Sequence, residues 1–404
     1  VLTYKYTARD TTTGQKIKAE LQADSEKAAA KLLHEQHLVP ISLSLKNEGG
    51  ALGGRFGNKI KVKDKILFSR QLSTLINAGL PLLQSLRTVA DQTQSKRLKP
   101  IIGEVIASIE GGSALSQALA KHPNAFDRIY ISLIEAGEAS GTLDKALERL
   151  ATQQEKDAEI MSKVRGAMVY PAIVLVVMGA VVGFMLVKVL PQVETLYDGL
   201  GDAQLPPLTR VLLAISSFVT EQWLVTLVIV IVLGLIARRW IRTVGGRSVF
   251  DKLKMRMPPF GPLFMKLYMA RFARTGTTLV ASGVPLIQVL EITAGSINNV
   301  HIEASLRQAI EKVKGGKALS DSIDNDRNFL DLVPDMLRIG EQSGAIEQML
   351  EKTASYYEKE VDNQIKAIST IIEPLLMVLL GVFAFIIVAA VLLPIYGLAG
   401  QSFV

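Results

Sequence analysis

The chain has 404 residues, with 45 Lys and Arg against 38 Asp and Glu and no cysteine. Disulfides, thiolate chemistry and cysteine-based metal sites are thereby excluded, and the length allows two or three domains. Hydrophobic residues make up 49% and the mean hydropathy is +0.29; the excess is gathered into runs, so the formal charge of +7 points to an anionic membrane surface rather than to nucleic acid.

No charged stretch leading into an apolar one opens the sequence, so no cleavable signal peptide is expected. Residues 1–46 read as a small α/β module. Leu2 to Arg9 alternates as a strand, Thr11-Thr12-Thr13-Gly14 turns, and Gln15 to Leu21 pairs back as a hairpin. Asp24 or Ser25 caps a helix through His37, and Val39 to Leu45 is a third strand. His34-Glu35-Gln36-His37 falls one residue short of the H-E-x-x-H zinc spacing and lacks a third ligand, so it reads as a surface helix. Residues 47–63, with Gly49, Gly50, Gly53, Gly54 and Gly57, read as a flexible linker.

Residues 64–170 read as a six-helix bundle. The first helix covers about Lys65–Asn77 and stops at Gly79; Pro81 opens the second. The third runs about Arg97–Glu110, Ser113 caps a short fourth, the fifth covers about Asp127–Ala136, and the sixth starts near Thr142. Each carries one apolar stripe to bury. The fifth and sixth are joined by Gly137-Glu138-Ala139-Ser140-Gly141. A tight hairpin accounts for the glycines and the serine, with Gly137 closing one helix and Ser140 capping the next. It accounts for Glu138 only in part, through the positive end of the sixth helix. A contact role stays open for that carboxylate, and its charge reversal is expected to weaken partner docking while the bundle stays folded.

The sixth helix feeds a first span at 171–190. No charged residue lies between Arg165 and Lys188, enough chain to cross a hydrocarbon core of about 30 Å. Gly179 and Gly183 form a G-x-x-x-G inside it, where another helix can approach closely. Residues 191–221 form an external loop, with an amphipathic surface helix over Val211–Thr220, and 222–237 a second span. Residues 238–262 read as a basic linker. From Arg238 to Arg274, ten basic residues meet the single acid Asp251. Basic flanks stay in the cytoplasm, so the two spans return the chain to its starting side. A second bundle, 263–373, then faces the cytoplasm beside the first. Residues 374–396 are a third span, and 397–404 an external tail.

The second bundle repeats the first. Gly137 and Gly340, Gly141 and Gly344, Pro171 and Pro374, and Pro191 and Pro394 all stand 203 positions apart. Upstream, Phe68-Ser69-Arg70 matches Phe272-Ala273-Arg274, and Gly111-Gly112 matches Gly315-Gly316. A fixed spacing over so many landmarks is an internal duplication. The repeated turn Gly340-Glu341-Gln342-Ser343-Gly344 and the repeated crossing points Tyr170-Pro171 and Glu373-Pro374 are therefore the candidate functional residues. Glu373 either sits at the headgroup level or pairs with a basic residue of the bundle.

Catalytic patterns are missing. Gly315-Gly316-Lys317-Ala318 is not a P-loop, because Ala318 lacks the hydroxyl that would hold magnesium. There is no G-x-S-x-G and no His cluster, and the spans carry no central carboxylate of the kind a proton-coupled transporter needs. No catalytic, cofactor or metal residue is expected.

Phe68-Ser69-Arg70-Gln71-Leu72-Ser73-Thr74-Leu75, Ala78-Gly79-Leu80-Pro81-Leu82, the two Gly-Glu-x-Ser-Gly turns, Tyr170-Pro171 and Glu373-Pro374 together resemble the PilC/GspF family. These are inner-membrane platform proteins of type IV pili and type II secretion. The resemblance covers essentially the whole chain, and Tyr356-Tyr357-Glu358-Lys359-Glu360-Val361-Asp362-Asn363 with Leu393-Pro394-Ile395-Tyr396 leans toward the pilus branch. It implies a non-enzymatic platform without cofactor. A cytoplasmic hexameric ATPase is expected on the bundles and pilin or pseudopilin subunits against the spans. Further inner-membrane assembly proteins and self-association as a dimer or higher oligomer are also expected. Gly276, where family members more often carry leucine, predicts a less regular helix. A type II secretion platform is the alternative, and a secondary transporter a distant one.

Overall fold

The computed structural model describes residues 2–10, 16–23, 32–33, 38–45, 60–192, 195 and 207–401. It falls into two units, Val1–Lys59 and Ile60–Val404. In the first, β1 (Leu2–Asp10), β2 (Lys16–Ala23) and β3 (Leu38–Leu45) form an antiparallel sheet in the order β2-β1-β3. Tyr6 faces Ala19 on one side and Leu43 on the other, and the β1–β3 register slips between Thr7 and Ala8. There Ala8 meets Pro40 of the edge strand, which has no N–H to give the ladder. Leu33 is helical and is buried with Ala8 and Leu38. The rest of the expected helix, the His34–His37 tetrad and the glycine-rich stretch 47–59 lie outside the described residues.

The second unit holds the duplication. The first repeat is α1 (Val62–Asn77), α2 (Leu82–Gln92), α3 (Leu98–Glu110), α4 (Leu115–Ala120), α5 (Arg128–Ser140) and α6 (Leu143–Phe184). Two further helices, α7 (Pro207–Glu221) and α8 (Trp223–Ile241), and then α9 (Val244–Arg256), separate it from the second repeat. That repeat is α10 (Phe260–Ala281), α11 (Leu286–Ser296), α12 (Val300–Lys314), α13 (Leu319–Ile323), α14 (Leu332–Ser343) and α15 (Ile346–Gln401).

The landmarks shared by the repeats do the same physical work in each. Phe68 packs on Phe126 with ring centroids 5.7 Å apart, and Phe272 on Phe329 at 5.6 Å. Arg70 forks onto Glu155, Nε to Oε1 at 2.7 Å, and Arg274 onto Glu358 at 2.7 and 2.9 Å. Each ion pair ties the first helix of its repeat to the last. The two cores are not separate, since Leu279, Val284, Val289 and Ile292 of the second repeat belong to the core built on Phe68, Leu86 and Leu133. The bundles therefore lie on the same side of whatever the long helices cross.

Two expectations change. The stretch 238–262 holds the helix α9, whose Asp251 is 2% exposed and accepts the N–H of Val300 at 3.2 Å, fixing α9 to the start of α12. Gly276 does not disturb α10, which runs unbroken through it; a Cβ there would stand 3.1 Å from Leu350 Cδ1, so the glycine lets α15 pack close. The long helices run through Tyr170-Pro171 and Glu373-Pro374 without a break, as a helix that feeds its span requires. Pro171 lies inside α6 and Pro374 inside α15.

Candidate functional site

The two Gly-Glu-x-Ser-Gly segments do not fold as the spacing predicts. The fifth helix passes through Gly137 and ends at Ser140, and Gly141 closes it in the left-handed region at φ +70°. Gly344 closes α14 at the same φ of +70°. Gly137 serves instead as a contact point: a Cβ would lie 2.6 Å from Ala146 Cβ and 3.2 Å from Leu143 Cα. At Gly340 it would lie 2.9 Å from Ile346 Cα. The long helix returns directly over these glycines. Ser140 does not cap α6; its hydroxyl donates to the Ala136 carbonyl at 2.7 Å, and Ser343 donates to Ile339 in the same way at 2.6 Å.

The carboxylates have a definite task. Glu138 accepts the N–H of Leu115 at 2.5 Å and of Ser116 at 3.0 Å. Glu341 accepts the N–H of Leu319 at 2.6 Å and of Ser320 at 3.2 Å. Each therefore caps the short helix before it, α4 or α13, from a neighbouring helix. Ser113 makes no cap; the N-cap position is Ala114, which has no side chain to offer. First-turn amides of a helix have no internal acceptor, and a carboxylate also suits the positive end of the helix. Charge reversal at either glutamate thus reaches the fold before it reaches any partner.

Below the hairpins, the last helix of each repeat becomes a stem that runs without interruption into an apolar span. The first helix extends over Leu143–Gln192, 50 residues, and the last over at least Ile346–Leu392, 47 residues; both, with Leu224–Ile241, are long and apolar enough to cross a membrane. At 1.5 Å per residue the first two are roughly 70 Å long, more than twice a hydrocarbon core of about 30 Å. They run parallel. Lys163 Nζ meets Asp362 Oδ2 at 2.7 Å, and Ile160 is buried with Val361, Ile365 and Ile368. Further along, Val177 and Val181 share a groove of about 350 Å³ with Leu380 and Phe383.

Between the bundles, Thr278 Oγ1 donates to Gln153 Oε1 at 3.0 Å in a buried contact. Asp157 lies one turn further along α6. Burial pushes its carboxyl above the usual range, opposed by the charge of Arg271 and the Gln153 amide. Glu155 is held below its usual range by the hydrogen bond from Arg70. The Lys163 ammonium is raised by its hydrogen bonds to Asp362 and Glu159.

At the far ends of the stems, α7 joins both. Its residues Thr209, Leu213 and Ser216 are buried on one face. The first helix passes into a π-helical turn, Met185–Val189, in which the Leu190 N–H reaches back to the Met185 carbonyl. In that register the Leu186 carbonyl would face Pro191, which has no N–H. Ser216 Oγ donates to that carbonyl instead. In α15, Pro394 leaves the Ala390 carbonyl without its i+4 donor, and Thr209 Oγ1 donates to it at 3.2 Å. The repeated Leu-Pro landmarks are the two points where α7 grips the spans. The expected free surface helix is thus a crossbar. No sequence motif marked Thr209 and Ser216; the available signal was two hydroxyls on one helical face of an apolar segment placed between two Leu-Pro sequences.

Other candidates stay apart. Tyr170 is 56% exposed and Glu373 is exposed and makes no ion pair among the described residues. Gly179 and Gly183 have open space where a Cβ would stand, so no other helix packs on them among the described residues. The second span packs on neither stem: none of its apolar window is buried. Among the described residues no group of three His, Cys, Asp or Glu could hold a metal ion.

Family models agree with the repeat. One described as type II secretion system (T2SS), protein F, matches residues 68–191 and again 272–394; a second, type II secretion system protein F, N-terminal domain, matches 2–44. The chain is 38% identical over 401 residues to the type IV pilus assembly protein PilC of Thermus thermophilus, covering 98% of each. It is 36% identical over 386 residues to the type IV pilus assembly protein TapC of Aeromonas hydrophila, 95% of this chain and 93% of the other. It is also 34% identical over 400 residues to the type II secretion system protein F of Pseudomonas aeruginosa, 98% of each.

Proposed function

The chain belongs to the type II secretion system protein F family, and from that premise we propose that it is the inner-membrane platform of a type IV pilus machine. In this reading a cytoplasmic hexameric ATPase engages the bundles, and pilin subunits meet the spans. The two bundles and the N-terminal unit, a small α/β module, face the cytoplasm and the C-terminus faces outward. Arg238, Arg239 and Arg242 at the end of the second span favour that orientation. The pilus branch is preferred over secretion because the relatives named for pili reach 38% identity and those named for secretion 34%.

The observation that carries the reading is the continuity of stem and span. A bundle that turns or tilts must move the attached span, because the helix between them contains no loop to absorb the motion. The stems are also coupled at both ends, by the shared core of the bundles and by the crossbar α7. Such a frame transmits displacement and needs no active site of its own.

Photo-crosslinkers on the exposed bundle surface, at Lys121 and Lys317, and in the groove, at Val181, test this in cells that assemble pili. ATPase adducts from the bundle sites and pilin adducts from the groove are expected. A full set of bundle positions that never captures the ATPase while pili still form would overturn the coupling role.

A further inference from the structure

The helix α9 carries an outward face that is left exposed among the described residues. Val249 and Leu253 stand one turn apart on α9, Met257 follows as its C-cap at the same spacing, and the three are 54%, 55% and 42% exposed. Lys252 and Arg256, both exposed, stand beside them on the same side. The opposite side is spoken for, since Asp251 is buried against the start of α12 and Lys254 lies 4.3 Å over the Phe250 ring. An apolar stripe edged by lysine and arginine is the pattern of a helix lying in a membrane interface.

Position in the chain decides what covers this face. Span two ends at Ile241, and only Arg242 and Thr243 precede α9. Thr243 is extended, at φ −74° and ψ 155°, and its hydroxyl caps α9 by accepting the Gly246 N–H at 3.1 Å. A Cβ on Gly246 would lie 1.9 Å from the Trp240 carbonyl oxygen, so the turn is as tight as the backbone allows. The helix therefore starts at the headgroup level, leaves the axis of the span, and is held close to the bilayer surface. Trp240, 51% exposed, is the aromatic anchor expected at that depth.

We propose that α9 is an interfacial helix that binds anionic phospholipid, with Val249, Leu253 and Met257 in the acyl boundary and Lys252 and Arg256 on the phosphates. Through Asp251 it holds the second bundle against the membrane surface. The inference rests on the orientation given above, in which the end of span two is cytoplasmic.

The native chain has no cysteine, so single labels can be placed freely. A nitroxide at Leu253→Cys in full-length protein, reconstituted in phosphatidylcholine vesicles with or without phosphatidylglycerol, is read by collision with oxygen and with an aqueous nickel chelate. With phosphatidylglycerol the label is expected to favour oxygen, whereas Lys317→Cys favours the chelate. Each charge removed in Lys252→Gln and Arg256→Gln is expected to lower the docking equilibrium constant by roughly five-fold, the weight of one basic residue at an anionic surface. A label as open to the chelate as Lys317→Cys in both lipids overturns the proposal. So does a label shielded from both reagents, which would mean a protein cover. Impermeant thiol reagents at Lys121→Cys and Lys317→Cys test orientation separately. Reaction of those two sites from opposite sides would sink the platform reading, whereas reaction from one side with a water-exposed Leu253→Cys sinks this inference alone.

Discussion

Removing the Glu138 carboxylate should open α4. The helix has only six residues, Leu115–Ala120, too few to hold without tertiary support. Its first two amides are satisfied by Glu138, at 2.5 and 3.0 Å. Hydrogen bonds to a charged group contribute about 1.5–3 kcal/mol each, but the side chain is only part-buried and one carboxylate serves both. A loss of about 2 kcal/mol for Glu138→Ala follows, roughly thirty-fold in the local opening equilibrium. Glu138→Gln keeps one acceptor and should lose about half of that. Glu138→Lys should lose more than Glu138→Ala, because it sets a positive charge at the positive end of the helix. Hydrogen exchange read by mass spectrometry on the segment 113–122 measures this directly. Glu341→Ala should do the same to 317–324 and leave 113–122 untouched. Wild-type exchange at 113–122 in both Glu138→Ala and Glu138→Lys would refute the capping argument and return the carboxylate to a contact role.

Other outcomes follow from the same geometry. Gly137→Ala places a methyl 2.6 Å from Ala146 Cβ and should cost about 1–3 kcal/mol by overpacking, read as a lower melting temperature of the detergent-solubilised chain. Asp157 has a raised carboxyl in the folded state, above its ordinary 3.8. The fold therefore binds that proton more tightly than the unfolded chain does, and stability falls as pH climbs from the ordinary value to the raised one. Asp157→Asn should remove that decline and raise the melting temperature at neutral pH; an unchanged pH profile would show that burial does not act on this group. Thr209→Val with Ser216→Ala leaves two carbonyls without donors, about 1 kcal/mol each in an apolar setting. The distance distribution between nitroxides at Lys188→Cys and Tyr396→Cys should broaden, and a distribution as narrow as in the parent would argue against the crossbar.

The helices, the spans and the duplication were legible because they rest on local signals: apolar periodicity, glycine after a helix, and a fixed spacing of landmarks. Asp127 was readable as the start of the fifth helix, and it caps Tyr130 at 2.9 Å. The task of Glu138 was not readable, because its acceptor work is done 22 and 23 residues back along the chain, on a helix that has no side-chain cap of its own. Gly137 misled for a related reason. Glycine ends helices and also lets helices touch, and only the return path of α6 separates the two uses. The linker reading of 238–262 followed from charge density, yet the acid that breaks the run, Asp251, is the residue that nails α9 to the bundle.

The segment between the repeats, α7 to α9, has a consequence for how two copies can share one side. A unit with one crossing, copied in tandem, would place its second copy upside down. A second crossing between the copies restores the sense of insertion, and α8 supplies it. Glu159 and Lys163 stand where the other half has Asp362 and Lys366. Lys163 crosses to Asp362 at 2.7 Å, while Glu159 turns back on Lys163 at 3.0 Å. The matched charges thus do unlike work in the two halves, and a single chain with two unequal copies can show a different face to each neighbour.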